Sequence, residues 1–171
     1  MSPRALALAA LLALPPFVLA QEISPVTGPA SSVSTPAPTP EFSALVGVTA
    51  TLDVPRTVTG KVNLTLTLKS TLAVPVELGA ARDSNQNCAF APTVRVLRVG
   101  TREVVYPAPG AEPRFCTQEL LSETLPARGS VEFTRDLDLP AGEYMVEGWF
   151  VGFAGDLRVK VPASPLRLTV R

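Results

Sequence analysis

Leu139-Pro140-Ala141-Gly142-Glu143-Tyr144-Met145-Val146-Glu147-Gly148-Trp149-Phe150-Val151-Gly152-Phe153 is the stretch that decides the fold. It opens on a Pro-Ala-Gly turn, in which proline presets one backbone angle and glycine frees another. It then runs into the most aromatic segment of the chain, which holds its only tryptophan. Aromatic and β-branched residues favour a pleated surface packed against neighbours, so this run is expected to be the central strand of a sandwich, with Trp149 or its neighbours buried between the sheets.

Outward from that run the period of two persists. Ala44, Val46, Val48, Ala50 and Leu52 alternate with smaller or polar residues, and Val62, Leu64, Leu66 and Leu68 alternate with Asn63, Thr65, Thr67 and Lys69. Such a pattern gives a strand one core face and one wet face. Residues 72–78 are interrupted by Pro75, which suits an edge strand because proline donates no ladder hydrogen bond. Residues 94–99, 102–106, 130–137, 157–161 and 166–170 complete the series, with Gly100-Thr101 and Gly155-Asp156 as hairpin connections. No helical period of 3.6 competes with this reading. An all-β, antiparallel sandwich of about seven to nine strands over residues 42–171 is expected.

The first forty residues differ from the rest. Arg4, the apolar run of residues 5–14, Pro15-Pro16 and then Val18-Leu19-Ala20 have the order of a secretory signal peptide, with cleavage expected after Ala20. The apolar run is shorter than the roughly twenty residues a spanning helix needs, so no membrane span is expected after cleavage. Residues 21–41 carry Pro25, Pro29, Pro36, Pro38 and Pro40 among Ser, Thr, Ala and Gly, the composition of a disordered linker. The expectation is a secreted or periplasmic monomer.

Charge and composition close off several classes of function. Of 15 basic and 15 acidic residues, Arg4 falls in the expected leader, leaving 14 against 15 and a formal charge of −1. That balance leaves no footprint for nucleic acid. The chain has no histidine, which excludes histidine triads, the usual zinc and copper sites and the commonest general base. Asp83, Glu112, Glu119 and Glu123 follow no calcium-loop spacing and read as solvated charges. The Asn63-Leu64-Thr65 sequon falls inside an expected strand. No catalytic residue, metal ligand or cofactor is expected, and the chain is not expected to be an enzyme.

Cys88 and Cys116 are the only cysteines, and an oxidising compartment makes a disulfide their default state. Asn85-Gln86-Asn87 before Cys88 and the proline-rich residues 107–113 before Cys116 read as irregular, so the bridge is expected to join two loops. Residues 107–115, Pro-Ala-Pro-Gly-Ala-Glu-Pro-Arg-Phe, form the candidate partner-binding loop, with Pro109, Gly110, Arg114 and Phe115 singled out. Proline and a disulfide lower the entropy lost on binding. Arginine and phenylalanine are side chains that anchor interfaces.

Two resemblances follow from these residues. Gly142-Glu143-Tyr144 after a turn resembles the tyrosine corner of immunoglobulin-like domains, which implies a Tyr144 hydroxyl bonded back to the main chain near the turn. The alternating strand of residues 62–68, the hairpin of residues 94–106, the Leu125-Pro126-Ala127-Arg128-Gly129-Ser130 turn and the Leu139-Pro140-Ala141-Gly142-Glu143-Tyr144 turn resemble the bacterial intracellular proteinase inhibitor domain of the BsuPI type, over roughly residues 60–153. That resemblance implies a sandwich and an inhibitory activity, and it assigns no inhibitory residue. The expected function is an exported, non-catalytic binding module for a protein or cell-envelope partner; the alternative is a proteinase inhibitor.

Overall fold

Alternation at every second residue builds the described part of the chain, residues 41–171 of a computed structural model. In chain order the strands are β1 (Val48–Asp53), β2 (Thr57–Val58), β3 (Val62–Ser70), β4 (Val76–Ala81), β5 (Thr93–Arg98), β6 (Val104–Tyr106), β7 (Leu120–Leu125), β8 (Ser130–Leu137), β9 (Gly142–Ala154), β10 (Leu157–Pro162) and β11 (Leu166–Val170). A single 3-10 turn, Ser84–Gln86, interrupts them. The expected signal peptide and residues 21–40 of the expected linker lie outside the described residues.

The smaller sheet has the order β1-β3-β8, antiparallel throughout. Val62, Leu64, Leu66 and Leu68 of β3 are fully buried, and register sets Leu66 between Leu52 and Phe133. Each such side chain contributes about 1.5–3 kcal/mol of transfer free energy. The intervening Asn63, Thr65, Thr67 and Lys69 face outward, and the Asn63 side-chain amide donates to Asp136 Oδ1 at 2.8 Å.

The larger sheet is organised around β9. Along one edge β9 pairs with β11 at residues 142–146 and then with β10 at residues 149–154. Along the other it pairs with β5 at residues 144–149 and then with β4 at Phe153 and Ala154. Thirteen residues of one strand thus carry four neighbours. Tyr144, Val146 and Phe150 point into the core and are fully buried. Phe150 lies against Phe133 of the opposite sheet, ring centroids 5.3 Å apart.

Strict alternation then places Trp149 on the outer face with Met145, Glu147, Val151 and Phe153. The expectation that Trp149 or its neighbours lie between the sheets is met by the neighbours: Gly148 and Phe150 are buried, and Trp149 is not. Trp149 is half-buried, with the Lys160 ammonium 4.6 Å from its ring centroid.

Three other expectations shift. The eleven strands of the described residues exceed the expected seven to nine because β2 and β7 carry no alternation that marks them as strands. The strand expected at residues 72–78 forms instead at Val76–Ala81, after Pro75 rather than through it. It is not an edge strand, because β7 covers its outer side from Val76↔Leu125 to Ala81↔Leu120.

The turn into β9 is locked by its tyrosine. Tyr144 donates its hydroxyl to the Pro140 carbonyl at 2.7 Å. A Cβ at Gly142 would sit 3.1 Å from that hydroxyl, so the glycine leaves room for the ring to fold back. Tyr144→Phe is expected to lower the unfolding free energy by about 0.5–1.5 kcal/mol, read from the denaturation midpoint; an unchanged midpoint would show that this hydrogen bond is dispensable.

Candidate partner-binding loop

Two irregular segments meet at one end of the larger sheet: residues 82–92 after β4, and residues 107–119 between β6 and β7. The first is closed on itself. Asp83 donates its backbone N–H to Ala89 O at 2.9 Å and receives the Cys88 N–H on its own carbonyl at 2.9 Å. Its carboxylate accepts from the Asn85 N–H at 2.9 Å, satisfying a free donor of the 3-10 turn.

Buried polar side chains fix this segment to the sandwich. Gln86, 4% exposed, donates its side-chain amide to Val94 O and accepts from Val94 N, both at 3.1 Å. Arg135 of β8 is 7% exposed and donates to the Gln86 side-chain oxygen, to the Phe90 carbonyl and, at 3.3 Å, to the Tyr106 hydroxyl. Among the described residues Arg135 forms no ion pair. Its charge is met by neutral acceptors, and buried cations are rare unless several partners hold them. Arg82 lies 4.0 Å above the Phe90 ring, donates to Cys88 O at 2.9 Å and pairs with Glu119 at 2.7 Å. This last contact ties residues 82–92 to the far end of the second loop.

Besides Glu119, the second loop is tied to that platform at two further points. A turn closes where Ala111 N–H donates to Ala108 O at 3.1 Å, with Gly110 at φ 74°, and it carries Pro109 and Gly110 at an exposed tip. Arg114 donates its backbone N–H to Ser84 O at 2.9 Å. Cys116 is joined to Cys88, with Cα atoms 5.4 Å apart. Between these two fixed points stands Phe115, with a relative exposure of 107%.

Of the residues singled out from sequence, Cys88, Cys116, Arg114 and Phe115 are brought together, whereas Pro109 and Gly110 lie at the tip of the same loop and Gly142 and Tyr144 belong to the turn before β9. Sequence reasoning missed Gln86, Arg135 and Arg82, which hold the base of the loop. A signal for Arg135 was present: it occupies an inward position between Phe133 and Leu137, where the alternation of β8 calls for an apolar residue.

This arrangement is a two-sheet, immunoglobulin-like β-sandwich with a disulfide-braced loop at one end. No protein-family model matches the sequence, and a search of curated proteins finds no match. The resemblance to the proteinase inhibitor therefore rests on the quoted strands and turns alone.

Solved structures of similar outline include the CARDB domain of a Pyrococcus furiosus protein in complex with di-metal ions, at 10% identity over 72% of this chain and 87% of that one, with a TM-score of 0.38. An ApaA protein of Bordetella pertussis is 12% identical over 72% of this chain and 91% of that one, with a TM-score of 0.40. A mutant β-glucosidase from Listeria innocua in complex with laminaribiose matches 72% of this chain but only 16% of its own length, at 10% identity and a TM-score of 0.39. The sandwich described here is established by its own strand register.

Proposed function

We propose that the chain is an exported, non-catalytic binding module that engages a protein or cell-envelope partner through residues 107–119, with Phe115 as the anchor. One observation carries this reading: Phe115 is wholly exposed while the backbone on either side of it is tied down, at Arg114 by Ser84 O and at Cys116 by the disulfide. Exposing a phenylalanine gives up burial that folding would otherwise gain. Holding its backbone fixed reduces the ordering cost of binding. An aromatic beside an arginine is the composition of an interface centre. The bridge itself supports an oxidising compartment.

The same observation favours a second reading. A segment braced by a disulfide and presenting one large side chain suits insertion into a protease cleft, which is the activity that the BsuPI resemblance implies.

The test is to place a photo-reactive benzoylphenylalanine at position 115 in cells of the source organism and, as a control, at the exposed Val46. A discrete adduct from position 115 but not from position 46 supports the binding module. The absence of any position-specific adduct overturns it. Incubating the purified protein with secreted proteases separates the second reading, since one-to-one inhibition abolished by Phe115→Ala identifies an inhibitor. Phe115→Ala is expected to leave the unfolding free energy within about 0.5 kcal/mol of the native value. It should weaken the captured partner by about 2 kcal/mol or more, roughly thirtyfold.

A further inference from the structure

The outer face of the larger sheet contains a cleft of about 330 Å³ between the β5–β6 turn and β11. Register builds its floor: Leu97 of β5, Met145 of β9 and Arg167 of β11 lie in one row across three strands. Leu97 and Met145 are partly exposed there, and Pro165 adds a third apolar wall. Three arginines line the same cleft, Arg98, Arg102 and Arg167.

The charge around this cleft is not balanced. Glu147 lines it too, but its carboxylate is already held by Arg95, through Nε at 2.7 Å and a terminal nitrogen at 2.6 Å. Arg98 has Glu103 at 3.9 Å, a long pairing. Among the described residues neither Arg102 nor Arg167 forms an ion pair. Arg102 is also held in a conformation that side chains seldom adopt, at φ 59°, fixed by its N–H to Arg98 O at 3.0 Å and by the Arg98 N–H to Glu103 O at 2.8 Å. The hairpin turn thus fixes the point at which the Arg102 side chain leaves the backbone beside the cleft.

We propose that this cleft binds an oxyanion, carboxylate or phosphate, carried on a small apolar body. The planar guanidinium fork pairs bidentately with either group. The apolar floor of Leu97 and Met145 takes the body, and the volume is at the small end of known ligand sites, which begin at about 300 Å³. Because Arg102 and Arg167 are exposed, affinity should fall with added salt.

Met145 is the single methionine of the described residues, so its ε-methyl resonance is a clean reporter. The purified protein is titrated with 4-phenylbutyrate, phenyl phosphate and the uncharged 4-phenylbutanol, following the Met145 methyl and the Gly100 amide. Saturable, salt-sensitive shifts with at least one of the two anions and none with the alcohol support the site, and which anion binds tells carboxylate from phosphate. The double change Arg102→Gln with Arg167→Gln, checked for an unaltered fold by its amide spectrum, should weaken that binding by about tenfold or more. The proposal is overturned by no saturation with either anion up to about 10 mM, by an alcohol that binds as well as the anions, or by a double variant that binds them undiminished.

Discussion

Gly152→Ala is expected to lower the unfolding free energy by about 3 kcal/mol or more, the upper end of overpacking effects. β9 and β4 approach so closely at this point that a Cβ on residue 152 would stand 2.1 Å from the Gly79 carbonyl oxygen and 2.9 Å from Phe150 Cζ. A side chain can turn aside, but a main-chain carbonyl in a ladder cannot. Relief therefore requires β4 to move off β9, which would also lift β7, since β7 is hydrogen-bonded to β4 along six residue pairs. Gly79→Ala is the control, because a Cβ there meets nothing nearer than Phe153 Cβ at 3.8 Å. It should fall within about 1 kcal/mol of the native protein, the unfolded chain's lost freedom acting in its favour. Denaturant titration of both variants makes the comparison, and equal midpoints would mean that β4 and β9 are not packed as described.

Removing the bridge has the second large effect. The double change Cys88→Ala with Cys116→Ala should cost about 3–4 kcal/mol, from the chain entropy released when a link between residues 28 positions apart is cut. Because a domain of this size holds only about 5–15 kcal/mol in all, the variant should remain folded at room temperature but melt earlier. Its core is untouched, since both cysteines lie in loops and β3 and β9 keep all their partners. A variant that fails to fold would show that residues 82–92 and 107–119 help to build the sandwich rather than ride on it. Without reductant the native protein should show no free thiol when denatured.

Much of this architecture was legible in the chain because β3 alternates apolar with polar residues from Val62 to Lys69, and because β9 follows a Pro-Ala-Gly turn with a run rich in aromatic and β-branched residues. β7 was not, for a physical reason: it lies at the sheet margin with only Leu125 fully buried, so Leu120 and Ser122 remain wet and the alternation loses contrast. β2 is two residues paired in parallel with β11, too short to carry any period. The face of Trp149 could have been settled from parity alone. It shares a face with Glu147, two residues earlier, and a carboxylate marks the wet side.

The candidate loop was readable from its prolines and cysteine, whereas its foundation was not. Arg135 and Gln86 are 49 residues apart and meet only when β8 of one sheet crosses the loop anchored in the other, while Arg82 reaches across 37 residues to Glu119. Local patterns of hydrophobicity do not encode such a meeting, although an arginine at an inward position of a strand signals that polar partners await it.

Amide hydrogen exchange at Arg114 is the most direct test of the central claim, that the disulfide holds an exposed Phe115 on a fixed backbone. The Arg114 N–H donates to Ser84 O at 2.9 Å, one residue before Phe115 and two before the bridge. In the oxidised protein this amide should exchange well below the rate of an open chain, and after reduction it should approach that rate while the amides of β3 and β9 keep their protection. An Arg114 amide that exchanges freely with the bridge intact would contradict the account, because Phe115 would then sit on a mobile loop.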